Sequence, residues 1–135
     1  MTQVVNDILI VDDVASSREL LANLIKQVSV LNVRHARNGT EAIQVCRDQQ
    51  PLVVFLDIEL PDRNGLDILK DLRVQDPQMF IVMVSGNGTA DNVKGSREAG
   101  ASAFILKPFK PQKVIDALMM YERMAGKPIM RPSLE

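Results

Sequence analysis

Four short apolar runs in this sequence are each followed directly by side chains that could take part in chemistry. These residues are Asp12 and Asp13 after ILIV, Asp57 after LVVFL, Ser85 after FIVMV and Lys107 after AFIL. Three carboxylates held close together repel one another, and a divalent cation such as Mg²⁺, or an ammonium group, would offset that charge. The combination suits phosphoryl transfer, which depends on positioning and charge neutralisation, and a carboxylate can itself accept the phosphoryl group.

The apolar runs are continuous rather than alternating, which is typical of parallel strands covered on both faces. A fifth, weaker run at 31–36 alternates and suits an edge strand, and helix-spaced apolar residues follow each run. The segment 89–100 predicts the fourth helix, closed by Gly100. The resulting β-α order, repeated five times, predicts an α/β fold with a five-stranded parallel sheet and helices on both faces.

The carboxyl ends of such strands are where ligands bind, at the point where the strand order reverses. In the flavodoxin-like order 2-1-3-4-5, the crevice lies between strands 1 and 3, so the three carboxylates would meet there. Each residue also has an ordinary structural interpretation. Asp13 could cap the first helix, Asp57 could begin a turn, and Ser85 is a common turn residue. The coincidence of all of them at strand ends favours a site.

Composition narrows the functional classes. The 135 residues fit one domain, and we predict a domain over residues 1–125 with a tail or linker start over 126–135. The 16 basic and 17 acidic residues nearly cancel, which argues against a domain that binds nucleic acid or a membrane mainly by charge. The lone cysteine, Cys46, cannot form an internal disulfide and falls on an apolar helix stripe, so we expect a core position and a cytoplasmic location.

The sequence resembles the receiver domains of two-component response regulators, in the single-domain form of the chemotaxis regulators. The resemblance covers residues 7–124. It is carried by ILIVDDVASSR, VVFLDIELPDRNGLD, VMVSGNG and AFILKPF, in the order and spacing of that family. Each motif alone is a weak signal, and together they form a strong one.

The resemblance implies a phosphoacceptor and a metal site. Asp57 would take a phosphoryl group from the phosphohistidine of a sensor histidine kinase or a phosphotransfer protein. Asp12, Asp13, Asp57 and the backbone carbonyl of Glu59 would hold Mg²⁺. Asp13 would bind the ion directly, whereas Asp12 would act largely through water.

The resemblance also assigns residues that respond to the phosphoryl group. Lys107 would pair with it, and its bond to Pro108 is often cis in this family. Ser85 would move to donate a hydrogen bond to a phosphoryl oxygen, and Phe104 would turn inward when the hydroxyl moves. Gly65 would allow a tight approach to the third helix.

Two positions beside the site are expected to tune how long the phosphoryl group persists. Glu59 lies two residues after Asp57, and Asn87 lies two residues after Ser85. The side chain of Glu59 would orient or repel the water that attacks the acyl phosphate. Alternatively, it points to solvent and has little effect.

The resemblance implies a signalling switch rather than an enzyme, although the chain would take part in its own phosphotransfer and autodephosphorylation. Phosphorylation would shift a two-state surface built from the fourth helix, the fifth strand and the fifth helix. A downstream protein or a second copy of the chain would dock there. The residues expected on this face are Val93, Phe104, Lys110, Ile115 and Met119.

Three other functions fit parts of the pattern. A haloacid-dehalogenase-type phosphatase also carries its nucleophilic aspartate at the end of a hydrophobic strand, in the motif Asp-x-Asp. Here Glu59 and Pro61 depart from that motif, and the chain is short for that class. A nucleotide- or flavin-binding module would need a glycine-rich phosphate loop where this chain has DDVASSR. A pseudo-receiver would bind partners without phosphorylation, although every chemical position is filled here.

Overall fold

Strands and helices alternate along the chain, and the computed structural model describes them over residues 2–132. The strands are β1 (Gln3–Val4), β2 (Asp7–Val11), β3 (Asn32–Ala36), β4 (Gln49–Gln50), β5 (Val53–Asp57), β6 (Phe80–Ser85) and β7 (Ala103–Leu106). The helices are α1 (Ala15–Val28), α2 (Gly39–Asp48), α3 (Gly65–Gln75), α4 (Ala90–Glu98) and α5 (Pro111–Ala125).

Five strands form one parallel sheet in the order β3-β2-β5-β6-β7, which confirms the predicted order 2-1-3-4-5. The alternating run is β3, and it lies at an edge as predicted. Strands β1 and β4 pair separately as a two-residue parallel ladder. Periodicity could not predict this ladder, because two residues show no alternation. Within residues 2–132, no helix has the length and apolar character needed to span a membrane.

The core lies on both faces of the sheet, because the central strands alternate their side chains between two helix layers. One cluster packs the sheet against α1 and α5, and it includes Phe55, Leu118 and Tyr121. The other packs it against α2 and α3, and it includes Leu56 and Cys46. Cys46 is fully buried, and burial raises the pKa of its thiol to about 12. The core position predicted for it is confirmed.

A carboxylate in the loop after β5 fastens that loop to the start of α2. The backbone N–H of Gly39 donates to Oδ1 of Asp62 at 2.9 Å, and the N–H and hydroxyl of Thr40 donate to Oδ2 at 2.9 and 2.8 Å. These hydrogen bonds, that from Gly39 first, lower the pKa of Asp62 to about 2. The loop that carries the residues after Asp57 is therefore held against α2.

Replacing this carboxylate with an amide should weaken the fold at neutral pH and not at low pH. We expect Asp62→Asn to lower the free energy of unfolding by about 1 kcal/mol, as for the loss of a helix cap. The folded-state pKa, about 2, is depressed below the ordinary 3.8. The stabilisation is therefore present above about pH 4 and is lost as the pH falls towards 2.

Urea unfolding of the wild type and Asp62→Asn in steps from pH 7 downwards measures this difference. Asp48→Asn, at the opposite end of α2, is the control and should change stability by less than about 0.5 kcal/mol. A difference between wild type and Asp62→Asn that stays constant to about pH 3 would contradict the capping role.

The chain after α5 folds back against α1 over residues 127–132. The Oε2 atom of Glu122 accepts the backbone N–H groups of Ile129 and Met130 at 2.7 and 2.9 Å. The hydroxyl of Ser29 donates to the carbonyl of Ile129 at 2.7 Å. The side chain of Ile129 is fully buried in the cluster beneath α1 and α5. This segment therefore contributes to the core, although its sequence has no periodic pattern.

Truncating that buried side chain should measurably destabilise the protein. We expect Ile129→Ala to lower the free energy of unfolding by about 2 to 4 kcal/mol, since it removes a fully buried side chain and leaves a cavity. Met124→Ala is the matched control, because Met124 is 71% exposed at the end of α5. Urea denaturation compares the two variants. Equal stability of Ile129→Ala and the wild type would show that residues 127–132 do not pack in solution.

Candidate phosphoacceptor and metal site

The carboxyl ends of β2 and β5 bring three acidic side chains together. Asp12 and Asp13 follow β2 directly, and β5 ends on Asp57. The two strands are neighbours and parallel, so their carboxyl ends meet at one edge of the sheet. One carboxylate oxygen from each of the three lies within 4.8 Å of the others. We call Asp12, Asp13 and Asp57 the acidic cluster.

Lys107, which follows β7, reaches across the sheet edge into the acidic cluster. Its Nζ atom donates to Oδ2 of Asp12 at 2.7 Å and to Oδ2 of Asp57 at 2.8 Å. The side chains of both aspartates are almost completely buried, whereas that of Lys107 is 23% exposed. The ammonium group thus neutralises part of the charge that the cluster concentrates. The Lys107–Pro108 peptide bond is cis.

Burial and Lys107 act in opposite directions on the pKa values of the site. Burial raises the pKa of Asp57, and the hydrogen bond from Lys107 offsets this only partly. Burial also acts to raise the pKa of Asp12, but hydrogen bonds from Lys107 and Val14 prevail and lower it. The pKa of Lys107 is raised, because two carboxylate partners outweigh its burial. Of these two aspartates, Asp57 therefore carries the less stabilised negative charge.

The acidic cluster fits a hard divalent cation such as Mg²⁺. Its donors are carboxylate oxygens, which Mg²⁺ prefers together with water and phosphate oxygens. Both oxygens of Asp12 already accept hydrogen bonds, Oδ1 from the Val14 N–H and Oδ2 from Lys107. Asp13 is exposed. Which of the two aspartates binds the ion directly stays a prediction.

The chain directly after Asp57 is held in place by a close backbone approach. The N–H of Gly65 donates to the carbonyl of Ile58 at 2.7 Å, and the N–H of Glu59 donates to Oδ1 of Asp57 at 3.0 Å. A Cβ atom on Gly65 would lie 2.7 Å from Cα of Ile58, and closer still to the carbonyl oxygen of Asp57. The close approach predicted at Gly65 is present, and it fixes the turn that carries Glu59.

Ser85, at the end of β6, is bound to Glu59 rather than to the acidic cluster. Its hydroxyl lies 2.7 and 2.9 Å from the two carboxylate oxygens of Glu59. It also accepts the backbone N–H of Asn87 at 2.9 Å. Sequence reasoning missed this pairing, although Ser85 ends β6 and Glu59 follows the neighbouring strand β5. Asp57 pairs with Val84 in the sheet, so Ser85 lies one residue and Glu59 two residues beyond that pair.

Sequence reasoning also assigned no role to Arg18, in the first half of α1. Its Nη1 atom donates to the backbone carbonyl of Asp12 at 2.7 Å. The contact fixes the turn between β2 and α1, where Asp12 and Asp13 lie. The one indication of this role in the sequence is that Arg18 ends the motif ILIVDDVASSR. Its role is to position the acid-bearing turn.

The predicted face of the fourth helix, fifth strand and fifth helix corresponds to α4, β7 and α5. The five residues predicted on this α4–β7–α5 face divide between two concave regions. Val93, Phe104 and Lys110 line a groove of about 420 Å³ between α4, β7 and α5. Ile115 and Met119 line a different cavity, of about 570 Å³, which the C-terminal segment closes on one side. Phe104 is half-buried and packs against the cluster beneath α2 and α3.

This sheet order, with an acidic cluster and a lysine at its carboxyl edge, defines the receiver class of α/β domains. The chain matches the response regulator receiver domain over residues 8–119, and it belongs to that family. The family consists of phosphoacceptor domains of two-component signalling.

Curated relatives agree with this assignment, and a solved structure shares the fold. The chain is 37% identical over 111 residues to chemotaxis protein CheY of Thermotoga maritima, covering 82% of this chain and 92% of the relative. It is 32% identical over 114 residues to sporulation initiation phosphotransferase F of Bacillus subtilis, covering 84% and 91%. A CheY-like receiver domain from Methanospirillum hungatei superposes with a TM-score of 0.81 at 24% identity, covering 95% of this chain and 100% of that one. The predicted resemblance is confirmed.

Proposed function

We propose that this chain is a phosphorylation-dependent signalling switch whose phosphoacceptor is Asp57. The observation that carries the proposal is the pairing of Asp57 with Lys107 at 2.8 Å inside the acidic cluster. Asp57 ends β5, and Ser85 ends the neighbouring strand β6. Asp13 is the exposed carboxylate of the acidic cluster. The donor is the phosphohistidine of a sensor histidine kinase or of a phosphotransfer protein.

The transfer forms one bond and breaks one. A carboxylate oxygen of Asp57 bonds to phosphorus, the phosphorus–nitrogen bond to the donor histidine breaks, and its electron pair stays on the imidazole. Lys107 offsets the negative charge on the phosphoryl oxygens. Asp12, Asp13, Asp57 and the carbonyl of Glu59 would hold Mg²⁺, which supplies further charge neutralisation when bound. Water later attacks the phosphorus of the acyl phosphate. The bond between phosphorus and the Asp57 oxygen breaks, inorganic phosphate leaves and the carboxylate is regenerated.

The phosphoryl group acts by shifting a two-state surface. Ser85 moves to donate its hydroxyl to a phosphoryl oxygen, and Phe104 turns inward from its half-buried position. The surface that changes is the α4–β7–α5 face. Its groove is lined by Val93 and Lys110, and a downstream protein or a second copy of the chain docks there. Glu59 and Asn87, beside the acyl phosphate, set how long the phosphoryl group persists.

Intact-mass measurement after incubation with acetyl phosphate and Mg²⁺ tests the phosphoacceptor. We expect the wild type to gain one phosphoryl group and Asp57→Asn to gain none. Asp62→Asn is the matched control, because Asp62 lies in the loop after β5 and caps α2 without entering the acidic cluster. It should be phosphorylated like the wild type. Equal mass gain in Asp57→Asn would refute the assignment.

Amide chemical shifts measured with beryllofluoride, an analogue of the phosphoryl group, test the switch. We expect shifts for residues 86–120, which contain the α4–β7–α5 face. If these signals stay in place while the analogue is bound, phosphorylation does not change the structure of that face.

A further inference from the structure

The carboxylate of Glu59 accepts a hydrogen bond from the hydroxyl of Ser85. Ser85 is fully buried, whereas Glu59 is exposed, so the carboxylate covers a hydroxyl at the end of β6. A hydroxyl has a single proton to donate. The carboxylate oxygens lie at 2.7 and 2.9 Å, and the alternative acceptor, the carbonyl of Asn87, lies at 3.1 Å. Charged acceptors bind hydroxyls more strongly than neutral ones, so the proton lies towards Glu59.

This hydrogen bond is connected to the start of α4. The Ser85 oxygen accepts the N–H of Asn87, and the carbonyl of Asn87 accepts from Nδ2 of Asn92 at 2.8 Å. Asn92 lies in the first turn of α4, where its own N–H donates to the side chain of Thr89, the cap of that helix. The position of the Ser85 hydroxyl therefore influences the loop from β6 and the beginning of α4.

We propose that Glu59 is a positioning residue that holds the Ser85 hydroxyl in the unphosphorylated state, so that phosphorylation must displace it. This inference rests on the proposed function, in which Ser85 donates to a phosphoryl oxygen on Asp57. The phosphoryl oxygen and the Glu59 carboxylate compete for the same proton, and only one can accept it. Activation therefore requires loss of the hydrogen bond from Ser85 to Glu59. Glu59 thus shifts the two-state equilibrium towards the unphosphorylated conformation.

Removing the competing acceptor should strengthen binding of a phosphoryl analogue. We expect Glu59→Ala to bind beryllofluoride about three- to tenfold more tightly than the wild type in the presence of Mg²⁺, the range expected for one net hydrogen bond. Glu59→Gln keeps the shape and a neutral acceptor, so its affinity should lie between the two. The exposure of Glu59 means that these variants should fold, and their amide spectra will show whether they do.

Simple charge repulsion between Glu59 and the analogue would also tighten binding in Glu59→Ala, and a double-mutant cycle separates the two causes. In the Ser85→Ala background the hydroxyl is absent, so the positioning role predicts that Glu59→Ala has no further effect on affinity. Repulsion alone predicts the same tightening in both backgrounds. A second readout uses the metal-free protein without analogue. There, the Asn87 and Gly88 amide signals of Glu59→Ala should move towards their positions in the analogue-bound wild type.

The test is the beryllofluoride affinity of wild type, Glu59→Ala, Ser85→Ala and the double variant, with Asp57→Asn as the negative control. Tightening that requires the Ser85 hydroxyl supports the positioning role. Equal tightening in both backgrounds, or no tightening, overturns it and leaves the proposed function intact. Failure of the wild type to bind the analogue, or binding by Asp57→Asn, overturns the proposed function and this inference with it.

Discussion

Gly65→Ala is expected to lower the free energy of unfolding by about 3 kcal/mol, the upper end of the usual range for overpacking. The added methyl group would lie 2.7 Å from Cα of Ile58 and 2.9 Å from the carbonyl carbon of Asp57. These are backbone atoms, so no side-chain rotation can relieve the overlap. The chain carrying Asp57 and Glu59 must move, and we therefore expect phosphorylation from acetyl phosphate to fall as well.

The matched control is Gly86→Ala, at a glycine in the loop after β6. A Cβ atom there meets nothing within 4 Å, so the substitution should change stability by less than about 0.5 kcal/mol. Urea denaturation gives the stability of both variants. If Gly65→Ala were as stable as Gly86→Ala, the close approach of α3 to the end of β5 would not exist in solution.

Lys107→Ala is expected to produce the second large effect, a loss of about 3 kcal/mol in the free energy of unfolding without Mg²⁺. Removing the ammonium group leaves Asp12 and Asp57 with buried side chains and no opposite charge, and breaking a buried ion pair in this way is strongly destabilising. Breaking a buried ion pair usually costs about 3 to 5 kcal/mol. We expect the low end of that range, because Lys107 is partly exposed and solvent screens its charge. Added Mg²⁺ should restore part of the stability, since the cation offsets the same carboxylates.

Lys110→Ala provides the control, because Lys110 is exposed and lies three residues further along the chain. It should unfold like the wild type with and without Mg²⁺. Urea denaturation of both variants in EDTA and in Mg²⁺ makes the comparison. Destabilisation of Lys107→Ala by the same amount in both solutions would contradict a shared role of lysine and cation in neutralising the acidic cluster.

The sheet and the acidic cluster could be predicted from the sequence because both follow from simple patterns. Continuous apolar runs indicate parallel strands buried on both faces, and residues that follow such runs must meet at one edge of the sheet. Asp12, Asp57 and Lys107 were therefore found from their positions alone. Even α4, with few apolar residues, was delimited by Gly100, whose φ of 93° lies in the left-handed region.

Other features depend on loop paths and side-chain torsions that no periodic pattern records. The hydrogen bond between Glu59 and Ser85 requires the turn that Gly65 fixes, and Asp62 reaches α2 only through that same loop. Ile129 is buried because the short segment that contains it returns to α1, and two adjacent apolar residues, Ile129 and Met130, show no periodic pattern. These contacts join positions far apart in the sequence, which is why local patterning could not reveal them.

The measurement that tests the central claim most directly is identification of the modified carboxylate at residue level. The protein is incubated with acetyl phosphate and Mg²⁺, the acyl phosphate is reduced with borohydride to the stable alcohol, and the digested peptides are mapped by mass spectrometry. This distinguishes Asp57 from Asp12 and Asp13, whose carboxylates lie within 4.8 Å. We predict conversion at Asp57 alone; conversion at Asp12 or Asp13, or at none of the three, would contradict the assignment.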